Sequence, residues 1–403
     1  MSRFFLLLFV PSLGLAGDVT LPLSAVAGRV RTQHPQLKAA RLMVAEAQGR
    51  ALGSGRLPNP TAGFDFRSES RLSPVAGEFS FEQAFPLTRR LSLEKRLTAQ
   101  LVTAAGFEVR DAERKFMAEA RGLAVRLLAL EKQRALRQQQ TELARKLSEF
   151  TQGRASKGEL SPLDAAQAQV DAQRLLLEGR RIEVERVALL GALKPMLGIA
   201  PGDSLNLVGE LPALVVPGII PWQHRADYQL ARTKEQAAQT DSALAHSKRL
   251  QDVSLGVVGG PEQQHVADQG YQRTGYVGFR ISIPLPFWNR NQGEIAEKKA
   301  SAERQRLETE ALGKQIASEA DTARREMQAN AALARETRGT LLPLVQEQTA
   351  KLEKAYESGQ TDLLTVLRAR EQRLQLEAAA LDAARDFHLA RIRYEAATGA
   401  ALP

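Results

Sequence analysis

The stretch Thr274-Gly-Tyr-Val-Gly-Phe-Arg-Ile-Ser-Ile-Pro-Leu-Pro-Phe-Trp-Asn-Arg-Asn-Gln-Gly-Glu294 changes character in its middle. Val277, Phe279, Ile281, Ile283, Leu285 and Phe287 alternate with Gly278, Arg280, Ser282, Pro284 and Pro286. A period of two with one apolar side is the mark of a strand. Asn289 to Gly293 is turn chemistry, and from Glu294 the chain turns rich in Ala, Glu, Lys, Arg and Gln, which predicts a helix. A short strand feeds a very long helix.

Working outward, the same plan appears twice. Upstream of the quoted strand, Val253, Leu255 and Val257 alternate with Asp252, Ser254 and Gly256, and Gly259-Gly-Pro261 opens a polar loop to Gly270. Near the N-terminus, Ala62, Phe64 and Phe66 alternate with Gly63, Asp65 and Arg67; polar residues Ser68 to Gly77 form a loop; Phe79, Phe81, Phe85 and Leu87 return as a second strand. Each pair reads as a β-hairpin. Helices precede them, Ser24 to about Gly53 with a break at His34-Pro35, and Ala226 to Leu250.

Long helical hairpins follow them. From about Leu91 to Gln152 there is no proline, and Phe116, Leu123 and Leu130, then Leu136, Leu143 and Phe150, recur at sevens. Such a segment is a rod of about 90 Å, not a globular core. Gly153 to Pro162 turns the chain, with Ser161 an N-cap and Pro162 a first-turn proline opening a helix to about Leu197. In the second half the long helix spans Glu294 to Ser358 with Pro343 inside it, and the return runs from Leu363 to about Ala397, with Leu367, Leu374 and Leu381 at sevens.

The halves align with an offset that grows from 193 to 201: Gly63 with Gly256, Phe85-Pro86-Leu87 with Ile283-Pro284-Leu285, Gly158 with Gly359, Leu163 with Leu364, Gly198 with Gly399. Ordered correspondence of glycines and prolines indicates a tandem duplication. The expected division is residues 1–17, a first repeat 18–197 (hairpin about 61–87, helical hairpin about 91–197), a linker 198–221 broken by Pro201-Gly202, Pro212, Pro217-Gly218 and Pro221, and a second repeat 222–403 (hairpin about 252–287, helical hairpin about 294–398). In the linker, Val215, Val216, Ile219 and Ile220 look ready to pack on something.

Met1 to Gly17 has one basic residue, an apolar run and Gly14-Leu15-Ala16 as a cleavage site, so it reads as a signal peptide, with the mature chain starting near Gly17 or Asp18. No later stretch has the roughly 20 apolar residues of a membrane helix. Export without such a helix leaves a periplasmic protein, a secreted one or a β-barrel.

Composition narrows the class. Among 403 residues, aromatics are 5% and charged residues 25%, the balance of long solvated helices. The absence of cysteine excludes disulfides, thiolate metal sites, a cysteine nucleophile and a lipidated N-terminal cysteine. The net charge of +9 comes from 55 basic residues interspersed with 46 acidic ones, without the clustered basic face that nucleic acid requires. Ser92-Leu-Glu-Lys95 matches Ser-x-x-Lys but lacks the companion motifs of serine acyl enzymes. His34, His224, His246, His265 and His388 show no ligand spacing, and His265 falls in an expected external loop. No catalytic residue, metal site or cofactor is expected.

Four amphipathic strands in one chain cannot close a membrane barrel, which needs at least about eight. The faces nevertheless fit a membrane wall. Phe64, Phe66, Phe79, Phe81, Val277, Phe279, Ile281 and Ile283 would face lipid; Asp65, Arg67, Glu82, Asp252 and Arg280 would face a wet lumen. Phe287 and Trp288 stand where an aromatic girdle belongs.

The duplicated helix-strand-strand-long helix-helix plan, the Asn59-Pro60 strand start, the Pro-Leu-Pro-Phe-Trp-Asn-Arg-Asn-Gln-Gly-Glu joint and the Gly-x-x-x-x-Leu tip turns resemble the TolC family of outer-membrane efflux channels over essentially the whole mature chain. The joint is similar to the CzcC-like branch, which serves heavy-metal resistance pumps. The resemblance implies a mainly helical homotrimer in the cell outer membrane, its twelve-stranded β-barrel standing on an α-helical periplasmic tunnel. It also implies a periplasmic adaptor and an inner-membrane resistance-nodulation-division (RND) pump as partners, with passive conduction of substrate.

Adaptor docking would fall on the tips, Lys157, Gly158, Leu160 and Ser161 in one half and Gly359, Thr361 and Asp362 in the other. The family gate often carries aspartates about six and nine residues after the second tip glycine; here Thr365 and Arg368 stand there, a departure that weakens an acidic ring and leaves Asp164 and Asp362 as the nearby acids. Multidrug efflux and type I secretion channels share this body, and a soluble periplasmic coiled-coil scaffold is the alternative outside the membrane.

Overall fold

A computed structural model of the chain describes residues 18–69, 73–266 and 270–400. The expected signal segment, residues 1–17, lies outside them. In chain order the elements are β1 (Asp18–Pro22), α1 (Val26–Gln33), α2 (Pro35–Gly53), β2 (Thr61–Glu69), β3 (Ser73–Phe85), α3 (Arg90–Ser156), α4 (Pro162–Met196) and β4 (Ser204–Val208). Then come α5 (Ala226–Ser247), β5 (Val253–Val266), β6 (Gly270–Ser282), α6 (Gln292–Glu336), a π-helical stretch (Thr337–Leu341), α7 (Leu342–Glu357) and α8 (Leu363–Thr398). The order helix, two strands, long helix, returning helix occurs twice.

Two compact units cut across both halves of the sequence: Arg41–Val109 with Ala226–Lys314, and the chain up to Ala40 with Arg110–Arg225 and Gln315 onward. The first contains the hairpins, the second most of the long helices.

In the helical unit, Val26, Val30, Leu37, Ala120, Ala124, Leu127, Leu193 and Leu197 form a buried cluster, with Leu21 and Leu205 at its margin. Each large aliphatic side chain so buried contributes about 1.5–3 kcal/mol. Leu21 and Leu205 belong to β1 and β4, which pair in parallel with Asp18 opposite Ser204. This corrects the reading of residues 198–221 as a linker without elements: Leu205 and Leu207 alternate too briefly to stand out. The rest of that segment does pack. Leu214, Val216 and Ile220 lie against Met327, Phe387 and Tyr394, whose hydroxyl donates to the Gly218 carbonyl and accepts from the Ile220 N–H, both at 3.1 Å. Val215 and Ile219 stay exposed.

The helical hairpins are tied side to side by charge, Arg137 to Glu178 at 2.8 Å between α3 and α4, and Arg370 to Glu353 at 2.7 Å between α7 and α8. Of the seven-residue stripes, Leu130, Leu367 and Leu374 are buried, and Phe116, Leu123, Leu136, Leu143, Phe150 and Leu381 half-buried. The long helix with Pro343 inside it loosens, just ahead of that proline, into the π-helical stretch Thr337–Leu341. Proline has no N–H to give, and its ring crowds the carbonyl four residues back; one wide turn relieves both. The first tip is shorter than expected because α3 runs through Gly153 to Ser156.

The other unit carries a four-stranded antiparallel sheet in the order β2-β3-β5-β6. Its strands are longer at the loop ends than the sequence predicts and shorter at one foot. β3 begins at Ser73 within the expected loop, and β5 continues through Gly259-Gly-Pro261 to Val266. Backbone pairing is indifferent to side-chain polarity, so the apolar alternation fades before the ladder does. Pairing of β5 with β3 ends at Gly259, leaving one partner strand where Pro261 stands, a place that tolerates proline. β6 ends at Ser282, before Pro284, so Ile283 lies beyond the ladder.

Candidate membrane face, joint and helical tips

Register sorts the sheet residues onto two faces. Phe64 opposes Phe79, Phe81 opposes Val257, and Val257 opposes Phe279, with Ala62, Phe66, Leu255, Val277 and Ile281 in the same set. The large side chains of this face are exposed, Phe279 at 87%. A face of this kind, with edge strands β2 and β6 each paired on one side only among the described residues, is unfinished in water.

The opposite face is polar. Arg280 on β6 pairs with Glu78 at 2.5 Å and with Glu82 at 3.3 Å, and the Tyr276 hydroxyl donates to Glu78 at 2.8 Å. Asp65, Glu82 and Arg280 thus share one face. Arg67 holds its ladder position opposite Ala76, while its side chain lies outside the described ones. Asp252 does not belong to the face: it precedes β5 and pairs at 2.6 Å with Arg90, the first residue of α3. Sequence reasoning missed Glu78 and Tyr276, although both fall on the even-numbered side of their strands with Glu82 and Arg280.

The joint between β6 and α6 is held by its own amides. Asn291 has a φ of 61°, the one left-handed residue other than glycine among those described. Asparagine tolerates this conformation because its side chain bonds locally. Its amide donates to the Ala245 carbonyl in α5 at 3.0 Å and to Glu294 at 2.7 Å, while Asn289 accepts from the Asn291 N–H at 2.9 Å. Lys248 pairs with Glu294 at 3.0 Å. The helix starts at Gln292, so Gly293, assigned to the turn by its chemistry, is in the first helical turn.

The tips in the helical unit repeat one construction. Gly158 and Gly359 have φ of 75° and 74°, and the residues after them, Glu159 and Gln360, donate to the carbonyls of Arg154 and Ala355 at 3.0 and 2.8 Å. This is a Schellman ending in each case. The next helix is capped in each case too: Ser161 Oγ accepts from the Leu163 N–H at 3.2 Å, and Asp362 Oδ1 from the Thr365 N–H at 2.8 Å. Hydrogen bonds from Thr365, with Arg154 and Arg368 nearby, hold the Asp362 carboxyl below its ordinary value. Lys157, Gly158, Ser161, Gly359, Asp362 and the gate candidates Asp164, Thr365 and Arg368 are exposed; Leu160 and Thr361 are half-buried.

The remaining candidates resolve into local structure. Ser92 donates to the Arg89 carbonyl at 2.9 Å in the first turn of α3. His34 is buried and stacked on Phe116 at 4.1 Å, and His388 is buried with Nε2 3.0 Å from the Pro212 carbonyl. Burial pushes both below the usual histidine value. His265 belongs to β5 and not to a loop, its side chain lying outside the described ones. Among the described residues no three His, Asp or Glu side chains are arranged to hold a metal, and no helix is long and apolar enough to cross a membrane.

Neither a protein-family model nor a curated protein sequence matches the chain. Solved structures do. The outer-membrane channel OprN superimposes with a TM-score of 0.74 at 14% identity, over 94% of this chain and 90% of that one. The outer membrane protein VceC of Vibrio cholerae gives 0.72 at 20% identity, over 94% and 97%. The Campylobacter jejuni CmeC outer membrane channel gives 0.72 at 14% identity, over 94% and 85%. The chain has the fold of these outer-membrane proteins along nearly its whole length.

Proposed function

We propose that this chain is one subunit of a homotrimeric outer-membrane efflux channel of the TolC type. It is the passive exit duct of a tripartite system that includes a periplasmic adaptor and an inner-membrane RND pump. The observation that carries the reading is the sheet: four strands of nine to fourteen residues, two open edges, one exposed apolar face and one charged face. About nine to eleven residues suffice for a strand to cross a bilayer, and closure is required there because no backbone group can stay unpaired in lipid. Three copies supply twelve strands, with Phe279 outward and Arg280 inward. The likeness in fold to OprN, VceC and CmeC supports the same reading.

On this reading the chain is a tandem duplication exported by the segment 1–17. The matched left-handed glycines, Gly158 with Gly359 and Gly198 with Gly399, favour the duplication. The capped turns around Lys157, Leu160, Ser161, Thr361 and Asp362 dock the adaptor, and energy comes from the pump, so the chain needs no catalytic machinery. The substrate we infer is a heavy-metal cation, on the resemblance of the Pro-Leu-Pro-Phe-Trp-Asn-Arg-Asn-Gln-Gly-Glu joint to the CzcC-like branch.

Fractionation tests the channel: the protein should require detergent for extraction from outer membranes and run as a heat-modifiable trimer. Release without detergent would instead indicate a soluble scaffold. A deletion strain tests the cargo, with lowered tolerance to zinc, cobalt, cadmium, copper or silver expected; unchanged tolerance to all five would point to drug or protein export.

A further inference from the structure

The foot of the sheet unit holds a cavity that neither the polar face nor the joint uses. Its volume is about 550 Å³, and it lies between Thr88 after β3, the end of α5 at His246 and Ser247 with Arg249 and Leu250 in the turn that follows, and the stretch from Leu285 to Arg290 that leads into α6. A pocket of this size suits a small-molecule group. One wall is apolar: Leu250, Leu285 and Phe287 are exposed, and Trp288 follows at 89% exposure. Leu285 follows β6 by three residues, so this wall stands just beyond the end of the strand that carries Val277, Phe279 and Ile281.

The other wall is cationic. Nearby Arg90 and Lys248 are matched by Asp252 at 2.6 Å and Glu294 at 3.0 Å. Arg249 and Arg290 are matched by no carboxylate among the described residues; Arg290 Nε donates to the Pro286 carbonyl at 3.3 Å, which leaves its terminal nitrogens for a ligand. The Thr88 hydroxyl supplies a further donor. Guanidinia that line one cavity suit a phosphate, whose oxygens accept from their planar forks.

We propose that this cavity binds the phosphate headgroup of an anionic phospholipid, with the acyl chains running over Leu250, Leu285 and Phe287 onto the apolar side of the sheet. The proposal rests on the channel reading, since only a membrane-embedded sheet meets lipid. A free phosphate would satisfy the arginines and leave the apolar wall wet; a lipid satisfies both walls. Basic groups beside an interfacial tryptophan are the usual grammar of headgroup recognition.

The test uses the full-length protein purified from outer membranes, placed in phosphatidylcholine nanodiscs and titrated with dioleoylphosphatidylglycerol, with retained lipid counted by native mass spectrometry. Wild type should hold phosphatidylglycerol in preference to phosphatidylcholine. R249Q/R290Q should weaken that retention about thirtyfold, R249K/R290K, which keeps the charge without the planar fork, should lose less than the glutamine pair, and R232Q/K234Q, which removes two exposed charges on α5, should behave as wild type. Equal retention by R249Q/R290Q and wild type would overturn the proposal. So would displacement of the lipid by millimolar inorganic phosphate, which would assign the cavity to a free anion. Wild type found in the outer membrane but indifferent to lipid charge sinks this proposal alone, whereas wild type absent from the membrane sinks the channel reading with it.

Discussion

Arg280 on β6 reaches across an intervening strand to Glu82 on β3, at 3.3 Å. The register places Gly256 of β5 between them, opposite both residues. A Cβ at Gly256 would stand 2.7 Å from the Glu82 side chain, so the missing side chain is what lets the ion pair span three strands. The sheet's polar face is therefore tied crosswise by charge, while its other face carries the run of exposed apolar side chains around Phe279.

That asymmetry predicts opposite outcomes for neighbouring residues. Phe279→Asp puts a charge on the apolar side and should cost on the order of 2 kcal/mol per chain in lipid, impairing insertion and trimer yield. Arg280→Ala removes solvent-screened ion pairs to Glu78 and Glu82, which add little to stability, and should leave trimers intact. Heat-modifiable trimers in outer-membrane fractions read both. Normal insertion of the Phe279→Asp protein would mean that this face does not meet lipid.

The joint should be sensitive at Asn291 for two separable reasons. Asn291→Ala loses the bond to Ala245 and places an ordinary residue at a φ of 61°, for a loss of about 1–2 kcal/mol. Asn291→Gly loses the bond but accepts the backbone, and should cost less than about 1 kcal/mol. Thermal unfolding of the two variants should rank them in that order; a glycine variant as unstable as the alanine one would show that conformation is not at stake.

Acid should loosen the second tip. Hydrogen bonds from Thr365 hold the Asp362 carboxyl below its ordinary value, so its cap contributes fully at neutral pH and is lost as pH falls through that depressed value. Hydrogen exchange at the Thr365 amide, corrected for intrinsic rate, should show protection falling in that acidic window. Asp362→Asn keeps an acceptor without a titration and should be flat. A parallel fall in the asparagine variant would place the titration elsewhere.

The same acids bear on selectivity. On the proposed channel reading, Asp164 and Asp362 are the tip acids offered as the source of a cation preference. Single-channel recordings should show reduced cation preference and divalent block in Asp164→Ala and Asp362→Ala. If both variants conduct as wild type does, the tips do not filter charge.

Much of this architecture was legible because it is periodic or punctuated. Phe64, Phe79 and Phe279 announce strands by alternation, and Ser161-Pro162 announces a helix start by its chemistry. What escaped is non-local. β1 and β4 are five residues each and pair across 186 positions, so neither carries a pattern long enough to read alone. Asp252 has the polarity of a face residue, but its partner Arg90 is 162 positions away and draws it to the foot of the sheet. The π-helical turn before Pro343 expresses strain, which composition hints at without placing. The left-handed state of Asn291 is chosen by Ala245 and Glu294, contacts that exist only once α5 and α6 are packed.

Gly359 and Gly399, both in the second repeat, allow a sharper test, because they share a conformation and differ in surroundings. Gly359 has a φ of 74° with nothing within 4 Å of an added Cβ, whereas Gly399, at 70°, would bring that carbon to 2.8 Å from Arg225 Cα. Arg225 cannot retreat easily: it is 7% exposed, pairs with Glu319 at 2.9 Å and donates to the Ala397 carbonyl at 3.1 Å. Gly359→Ala should therefore cost only the left-handed strain, about 1 kcal/mol, and Gly399→Ala that strain plus overpacking, about 3 kcal/mol or more. Denaturant titration of the two variants under identical conditions measures the difference. Equal losses would mean that the α8 end shifts away from Arg225, and the Arg225–Glu319 pair would then be expected to weaken in the Gly399→Ala protein.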